Sequence, residues 1–370
     1  MHNRPVRFSY LQDQFADIDD LWAELRDFVR TGDFTLGAQL GVFEKRFAAL
    51  MGAKHAIGVN SGTDAIKLSL EALGVRHGDE VITAANTFVA TVGAICELGA
   101  TPIFVDCDDS FCMDMGQVEA KIGPKTKAIV PVHLTGYLAD MPRLLPIAER
   151  HGLAVVEDAC QSMLAEAGGR KAGHWGHAGA FSLHPLKILN VWSDGGLVVT
   201  DDDALERKLR LLRNHGLADR DTVAIMGRNS RLDTLQAVVG NWLLPKAQWI
   251  VDRRIANARH LDDGLRRIRQ IRIPPRPPGM RLSFHLYIVF AERRDELLRF
   301  CLDRGIQAKI HYPVPIYRQP ALAHLGHREG EFPVTDRHAR EMISFPGDQH
   351  LGPDALDAVI DTVRAFYAGA

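Results

Sequence analysis

The sequence predicts an α/β fold: a large domain with a mostly parallel sheet covered by helices on both faces, then a smaller α+β domain. Three observations carry this. Short apolar runs bounded by turn residues alternate with helical stretches of about ten to fifteen residues, the pattern of a parallel sheet with crossover helices. The first such run feeds straight into a turn of small residues and a helix N-terminus, Ser61-Gly62-Thr63-Asp64. Late in the chain, the stiff segment Ile273-Pro274-Pro275-Arg276-Pro277-Pro278-Gly279 precedes a separate β–α–β unit.

Apolar positions at helical spacing (Leu21, Leu25, Phe28, Val29) predict an amphipathic helix over residues 11–30. A loop at 31–37 breaks it. A second helix, 38–50, sets Val42, Phe43, Phe47 and Leu50 on one face, and Gly52 ends it. Residues 55–60 form a strand, and the Ser61 turn opens a helix over 65–73. Free N–H groups and the helix dipole at that turn suit an anion; capping by Ser61 or Asp64 is the simpler account of the same residues. Strands follow at 80–83, 102–105, 128–133 and 154–158, with helices at 86–98 and 144–151. Residues 179–182 form a strand, a turn holds Lys187, and Gly195-Gly196 leads into a strand at 197–199.

A charged helix is expected at 203–214, an irregular polar segment at 227–233, and a long helical stretch at 234–265 interrupted at Pro245. After the proline-rich connector come a strand at 284–290, a helix at 294–304, a strand at 306–311 and a closing helix at 355–367. The domain boundary falls near residue 250, giving a large domain over 1–250 and a small one over 251–370.

At 370 residues the chain can bury a sizeable core. A net charge of −2 leaves no basic footprint for nucleic acid or an anionic membrane. The arginines at 207, 210 and 213 alternate with acids and leucines, as on a solvated helix face. The 5 cysteines form no CxxC pair and give no metal-site spacing; Cys96 and Cys160 sit in apolar runs and read as core residues. The start, Met-His-Asn-Arg-Pro, lacks a signal-peptide apolar region, and no apolar run reaches the ~18 residues of a membrane span. The expectation is a cytoplasmic protein.

Ligands of parallel α/β sheets bind at the carboxyl ends of the strands. The Ser61 turn, Phe88, His133, Asp158 and Ser182 all fall at or just beyond such ends. Lys187 stands among Leu186, Ile188 and Leu189, where desolvation lowers an amine's pKa toward that needed for a Schiff base. A surface lysine on a loop would look the same in this window alone. Asp158 ends an apolar strand. A lysine, a part-buried aspartate and a phosphate-cradling turn are together what pyridoxal phosphate chemistry requires.

These residues sit in stretches that resemble the DegT/StrS-type sugar aminotransferases of pyridoxal phosphate fold type I. The stretches include Asn60-Ser61-Gly62-Thr63-Asp64-Ala65, Asn86-Thr87-Phe88, Val156-Glu157-Asp158-Ala159-Cys160-Gln161 and Phe181-Ser182-Leu183-His184-Pro185-Leu186-Lys187. They continue with Arg213-Asn214-His215-Gly216, Asn229-Ser230-Arg231-Leu232-Asp233 and His311-Tyr312-Pro313. The set follows the family's order from about residue 30 to 320, and its order is more specific than any single piece.

The resemblance implies a seven-stranded-type sheet. It implies that Lys187 bonds pyridoxal 5'-phosphate and carries protons, that Asp158 pairs with the ring nitrogen, and that Gln161 neighbours the ring hydroxyl. Phe88 is similar to the aromatic that stacks on the ring. Gly62, Thr63 and Ser182 match phosphate ligands, and Asn229 matches a phosphate contact from the other subunit of a homodimer. His184, His215, Arg228 and Tyr312 are candidate substrate contacts. A satisfied structural role suits His184, His215 and His133 equally.

The implied reaction moves an amino group from glutamate, by way of pyridoxamine 5'-phosphate, to a keto-sugar, expected to be nucleotide-linked. A free keto-sugar acid such as a keto-octulosonate, an aminocyclitol, or a non-catalytic regulator on the same fold are the alternatives. Two departures bear on the substrate. Arg228 and Ser230 flank Asn229 where members carry a bulky residue, and the 190–194 segment is bulkier than the usual glycine-rich version. A related branch that dehydrates sugars has histidine at the place of Lys187, so the lysine favours transamination.

Overall fold

The computed structural model describes residues 5–369; Met1–Arg4, four of the five residues of the start read for a signal-peptide region, lie outside them. The central sheet comprises β1 (His55–Val59), β2 (Glu80–Ala84), β3 (Thr101–Val105), β4 (Thr126–Val130), β5 (Ala154–Asp158), β6 (Ala178–Ser182) and β7 (Gly196–Thr200). Its order is β1-β7-β6-β5-β4-β2-β3. β7 runs antiparallel to both neighbours, and the other pairings are parallel. The strands are short and almost wholly buried, which is why they read as unbroken apolar runs rather than alternating ones.

Helices α1 (Asp19–Thr31), α2 (Ala38–Met51), α3 (Gly62–Ala72), α4 (Val89–Glu97), α5 (Met141–Arg150) and α6 (Asp203–Arg213) surround this sheet with α7 (Thr234–Leu243). On one side Phe43 and Phe47 of α2 are fully buried, and Phe47 meets Phe181 of β6 edge-on at 5.3 Å between ring centres. On the other, α3 packs Ile66, Leu68 and Leu70 against Val156 and Val198. The expected helix over 11–30 is two helices, Leu11–Gln14 and α1. The break lets Phe15 join an aromatic group with Trp192 and Trp242.

The long helical stretch is interrupted at Leu244–Lys246 and resumes as α8 (Ala247–Leu265), so residue 250 lies inside a helix. Beyond it β8 (Ile271–Arg272), β9 (Tyr287–Ala291) and β10 (Met342–Phe345) form a small antiparallel sheet. α9 (Arg294–Leu302), α10 (Pro333–Glu341) and α11 (Pro353–Ala368) accompany it. Residues 306–311 are not the expected strand: Ile306 and Lys309 make single bridges, to Val6 and Ser344. The third strand is instead β10, four residues ending at a proline, too short to stand out as a periodic run. Among the described residues no helix is long and apolar enough to cross a membrane.

Two buried polar clusters fix the sheet near its carboxyl edge. Glu157, fully buried, accepts N–H groups from Gly173 (2.8 Å), Trp175 (2.6 Å) and Gly176 (2.7 Å). Its Oε2 also accepts from His133 Nε2 at 2.7 Å. His133 Nδ1 accepts the Ala139 N–H at 3.0 Å, so Nε2 carries the proton and His133 is a satisfied structural histidine. Arg213 bonds Glu44 of α2 and the Gly58 carbonyl of β1.

Candidate active site

The carboxyl ends of β1, β5 and β6 meet the start of β7, since Gly196 pairs with both Val59 and Ser182. A cavity of about 400 Å³ opens there. Its wall includes Gly62, Thr63, Phe88, Asp158, Gln161, Ser182, His184, Lys187 and Tyr312. Nine of the sequence-predicted residues are therefore brought together from separate stretches of chain.

Lys187 is half-buried on the loop between β6 and β7. Burial of its ammonium lowers its pKa below the ordinary lysine range, and Cys160 and Asp158 only partly offset this. Asp158 is 6% exposed. Its Oδ2 accepts from Thr91 Oγ1 at 2.7 Å and its Oδ1 from the Cys160 N–H at 3.1 Å. Thr91 is in turn 2.7 Å from Thr87 Oγ1. A carboxylate anchored by hydrogen bonds and shielded from water is placed to hold a positive charge in the cavity.

Gln161 is oriented from both ends. Its Oε1 accepts the Thr135 N–H at 2.9 Å, and its Nε2 donates to the Tyr312 hydroxyl at 3.3 Å. Thr135 is held at φ 61°, a left-handed conformation that costs a β-branched residue energy. Burial pushes the Tyr312 phenol up to about 12, with Asp158 adding to the rise and Gln161 opposing it, so the hydroxyl stays protonated. Phe88 is 44% exposed at the N-cap of α4, and its ring centre lies 5.4 Å from that of Tyr312.

The turn before α3 is capped by Ser61, as the simpler account expects, and it opens onto the cavity. Ser61 caps the helix by accepting the Asp64 N–H at 3.1 Å, and Asp64 accepts from Ser230 Oγ at 2.6 Å. The close approach of α3 demands glycine at two points. A Cβ on Gly62 would stand 2.8 Å from Ser182 Cβ and 2.9 Å from Cys160 Sγ. A Cβ on Gly196 would stand 2.2 Å from the Ser61 carbonyl oxygen. The result is a backbone-lined cradle at a helix N-terminus, beside Ser182 and on the same cavity wall as Lys187 and Asp158. These residues fit pyridoxal phosphate: an anion cradle, an amine of lowered pKa and a shielded carboxylate share one wall. Gly62→Ala is expected to cost about 1–3 kcal/mol and to weaken cofactor retention, measured by thermal unfolding with and without pyridoxal phosphate. A wild-type melting curve in both conditions would contradict the close fit.

The remaining candidates lie elsewhere in this chain. Asn229 and His215 are exposed and Arg228 is half-buried, and none lines the cavity. Arg228 donates to Glu71 at 2.7 Å, so its charge is already met within the chain. His184 stands exposed at the cavity; burial lowers its pKa, with Asp194 opposing and Lys187 adding to the effect. Cys96 and Cys160 are not core residues as expected: Cys96 is exposed near the end of α4, and Cys160 is half-buried beside the cradle. Sequence reasoning missed Phe8, Tyr10, Arg254, His285, Lys309 and His311, all on the cavity wall. Only His311 carried a signal, as the neighbour of Tyr312.

The sequence profile of the DegT/DnrJ/EryC1/StrS aminotransferase family matches residues 16–364. The chain is 40% identical over 368 residues to the "dTDP-3-amino-3,4,6-trideoxy-alpha-D-glucose transaminase" of Micromonospora megalomicea subsp. nigra, covering 98% of each protein. It is 39% identical over 363 residues to the "Pleiotropic regulatory protein" of Geobacillus stearothermophilus, covering 96% of this chain and 97% of that one. The crystal structure of S. venezuelae DesV in complex with a ketimine intermediate superposes with a TM-score of 0.96 at 39% identity, covering 98% of this chain and 99% of that one.

Proposed function

Since the chain belongs to the DegT/DnrJ/EryC1/StrS aminotransferase family and is a pyridoxal-phosphate-dependent aminotransferase, we propose that it transfers an amino group from glutamate to a nucleotide-linked keto-sugar. The observation that carries this is the shared wall of Lys187, Asp158 and Gln161 in a cavity roomy enough for a sugar beside a cofactor ring. The product would enter amino-sugar synthesis for a polysaccharide, a lipopolysaccharide or an antibiotic.

Bound in this cavity, pyridoxal phosphate supplies an electron sink for the carbon that gains or loses the amino group. Lys187 would hold the cofactor and move a proton at Nζ; its lowered pKa leaves more of the amine neutral and able to accept one. Asp158 would keep the ring nitrogen charged, its carboxylate fixed by Thr91 and the Cys160 amide. Gln161 and Tyr312 would orient the ring hydroxyl, and Phe88 would cover one ring face and exclude water. Gly62, Thr63 and Ser182 would hold the phosphate.

A homodimer with shared sites belongs to the same proposal. It is supported by the exposure of Asn229 away from its own cavity and of the apolar side chains of Phe34 and Leu235. These two lie close together, since Thr234 N–H donates to the Phe34 carbonyl at 3.4 Å. The large-domain and small-domain division near 250 and a cytoplasmic location complete it.

The test is amino transfer from glutamate to a panel of keto-sugars linked to dTDP or UDP, against free keto-sugar acids and cyclitol ketones. Turnover is expected with the nucleotide-linked group. Preference for the free compounds would replace this substrate class. Absence of transfer from any donor would favour a regulator, a reading that leaves the conjunction of Lys187, Asp158 and Gln161 without a purpose.

A further inference from the structure

We propose that Tyr10 is a positioning residue for Lys187, and that residues 5–14 form a strap fixing the reactive lysine to the small domain. The inference rests on Lys187 being the reacting amine. The Tyr10 hydroxyl donates to the Lys187 carbonyl at 2.8 Å. Among the described residues, that is the only hydrogen bond reaching Lys187 from outside its own loop. Its other hydrogen bond is internal, Lys187 N–H to the His184 carbonyl at 2.8 Å, on a loop closed by Leu183 N–H to Gly195 at 2.7 Å and Val191 N–H to Leu183 at 3.2 Å. Without the Tyr10 hydroxyl the lysine's carbonyl has no donor among the described residues, which removes one restraint on its peptide plane.

The strap is anchored at its far side by small-domain backbone. Val6 N–H donates to Gly305 at 2.9 Å, and Val6 accepts from Gln307 N–H at 3.0 Å. Phe8 N–H donates to Gln307 Oε1 at 3.0 Å, and Gln14 Oε1 accepts from Gln349 Nε2 at 2.9 Å. Tyr10 itself is 4% exposed, stacked on His350 with ring centres 6.3 Å apart and covered by the Arg254 guanidinium at 4.9 Å. Burial pushes its phenol above the ordinary tyrosine range, with Arg254 partly opposing, so the hydroxyl keeps the proton it donates. Two residues before it, Phe8 lines the cavity, with the Lys309 ammonium 4.6 Å from its ring centre. A buried ring held by a stacked imidazole and a guanidinium thus aims one hydroxyl at one carbonyl.

The physical effect is orientation. A side-chain amine swings about its own Cα, so a rotated peptide at Lys187 displaces Nζ, and a displacement of about 1 Å at a reacting atom can cost about 10²-fold in rate. Tyr10→Phe removes the donor and keeps the ring, its stacking and the strap. Three measurements are made on the full-length protein. Turnover number is expected to fall about tenfold with KM for both substrates within about twofold. Melting temperature is expected to move by less than about 4 °C, the size of one lost hydrogen bond. In cofactor-free protein, the pH midpoint for acylation of the Lys187 amine, followed by peptide mass spectrometry, is expected to rise as the amine swings toward solvent.

An unchanged labelling midpoint overturns the proposal, whether activity stays at the wild-type level or falls together with the melting temperature. A raised midpoint supports it even when wild type turns over none of the offered sugars. In that last case the proposed substrate fails and the strap does not.

Discussion

Lys187→Ala is expected to reduce amino transfer on the order of 10⁴-fold or more, with the melting temperature close to wild type. In the proposed mechanism one amine both holds the cofactor and carries the proton, so both roles end together. Lys187 sits on a loop and is half-buried, so truncation removes little packing. Borohydride reduction of the wild type followed by peptide mass spectrometry is expected to place the cofactor's mass on the peptide containing Lys187, and on no peptide of the variant. Undiminished transfer by the variant would remove the basis of the functional assignment. Lys187→Arg should fare no better than alanine, because a guanidinium stays protonated at working pH and cannot accept a proton.

Asp158→Asn is expected to lower turnover by about 10²- to 10³-fold while leaving the fold in place. The carboxamide keeps the shape and one acceptor oxygen, so either the Thr91 hydroxyl or the Cys160 amide retains a partner. The lost quantity is the negative charge in a nearly dry wall, where a charge acts more strongly than in water. The cofactor should still bind through Lys187 and the cradle, so retention measured by absorbance separates this loss from that of Lys187→Ala. Turnover within about threefold of wild type would show that the charge is not needed, the expected loss being of the size just given.

The sheet was legible because buried parallel strands are written as short apolar runs, and the central site residues because they sit where those runs end. Asp158 and Ser182 are readable this way, Lys187 by its apolar neighbours and Gln161 only by the resemblance, and the structure brings all four to one cavity. Other parts of those stretches prove to be architecture. Glu44 and Arg213 join α2, β1 and α6, and Glu157 with His133 gathers the amides of 173–176. A recurring motif marks a constraint without telling which kind.

What escaped the sequence is what depends on contacts between distant segments. Tyr10 reaches Lys187 across 177 positions, and nothing local to Phe8-Ser9-Tyr10 distinguishes it from an ordinary N-terminal run. Arg254 and His285 belong to a helix and a strand approach whose periodicity speaks only of packing. β10 has four residues and no alternation to announce it. Cys96 and Cys160 were misplaced because apolar neighbours do not fix which side of a helix or turn a thiol faces. The break at 15–18 accompanies an aromatic contact with Trp192 and Trp242 that no window of sequence contains.

The order of the sheet also dictates a sequence of events during synthesis. β1 is the earliest strand to emerge from the ribosome, yet its sole neighbour is β7, the latest. The turn after β1 therefore gains its facing wall only once residues near 196 have been made. A nascent chain halted before that point holds the aspartate but no completed seat for an anion, so cofactor capture is deferred until the central sheet closes.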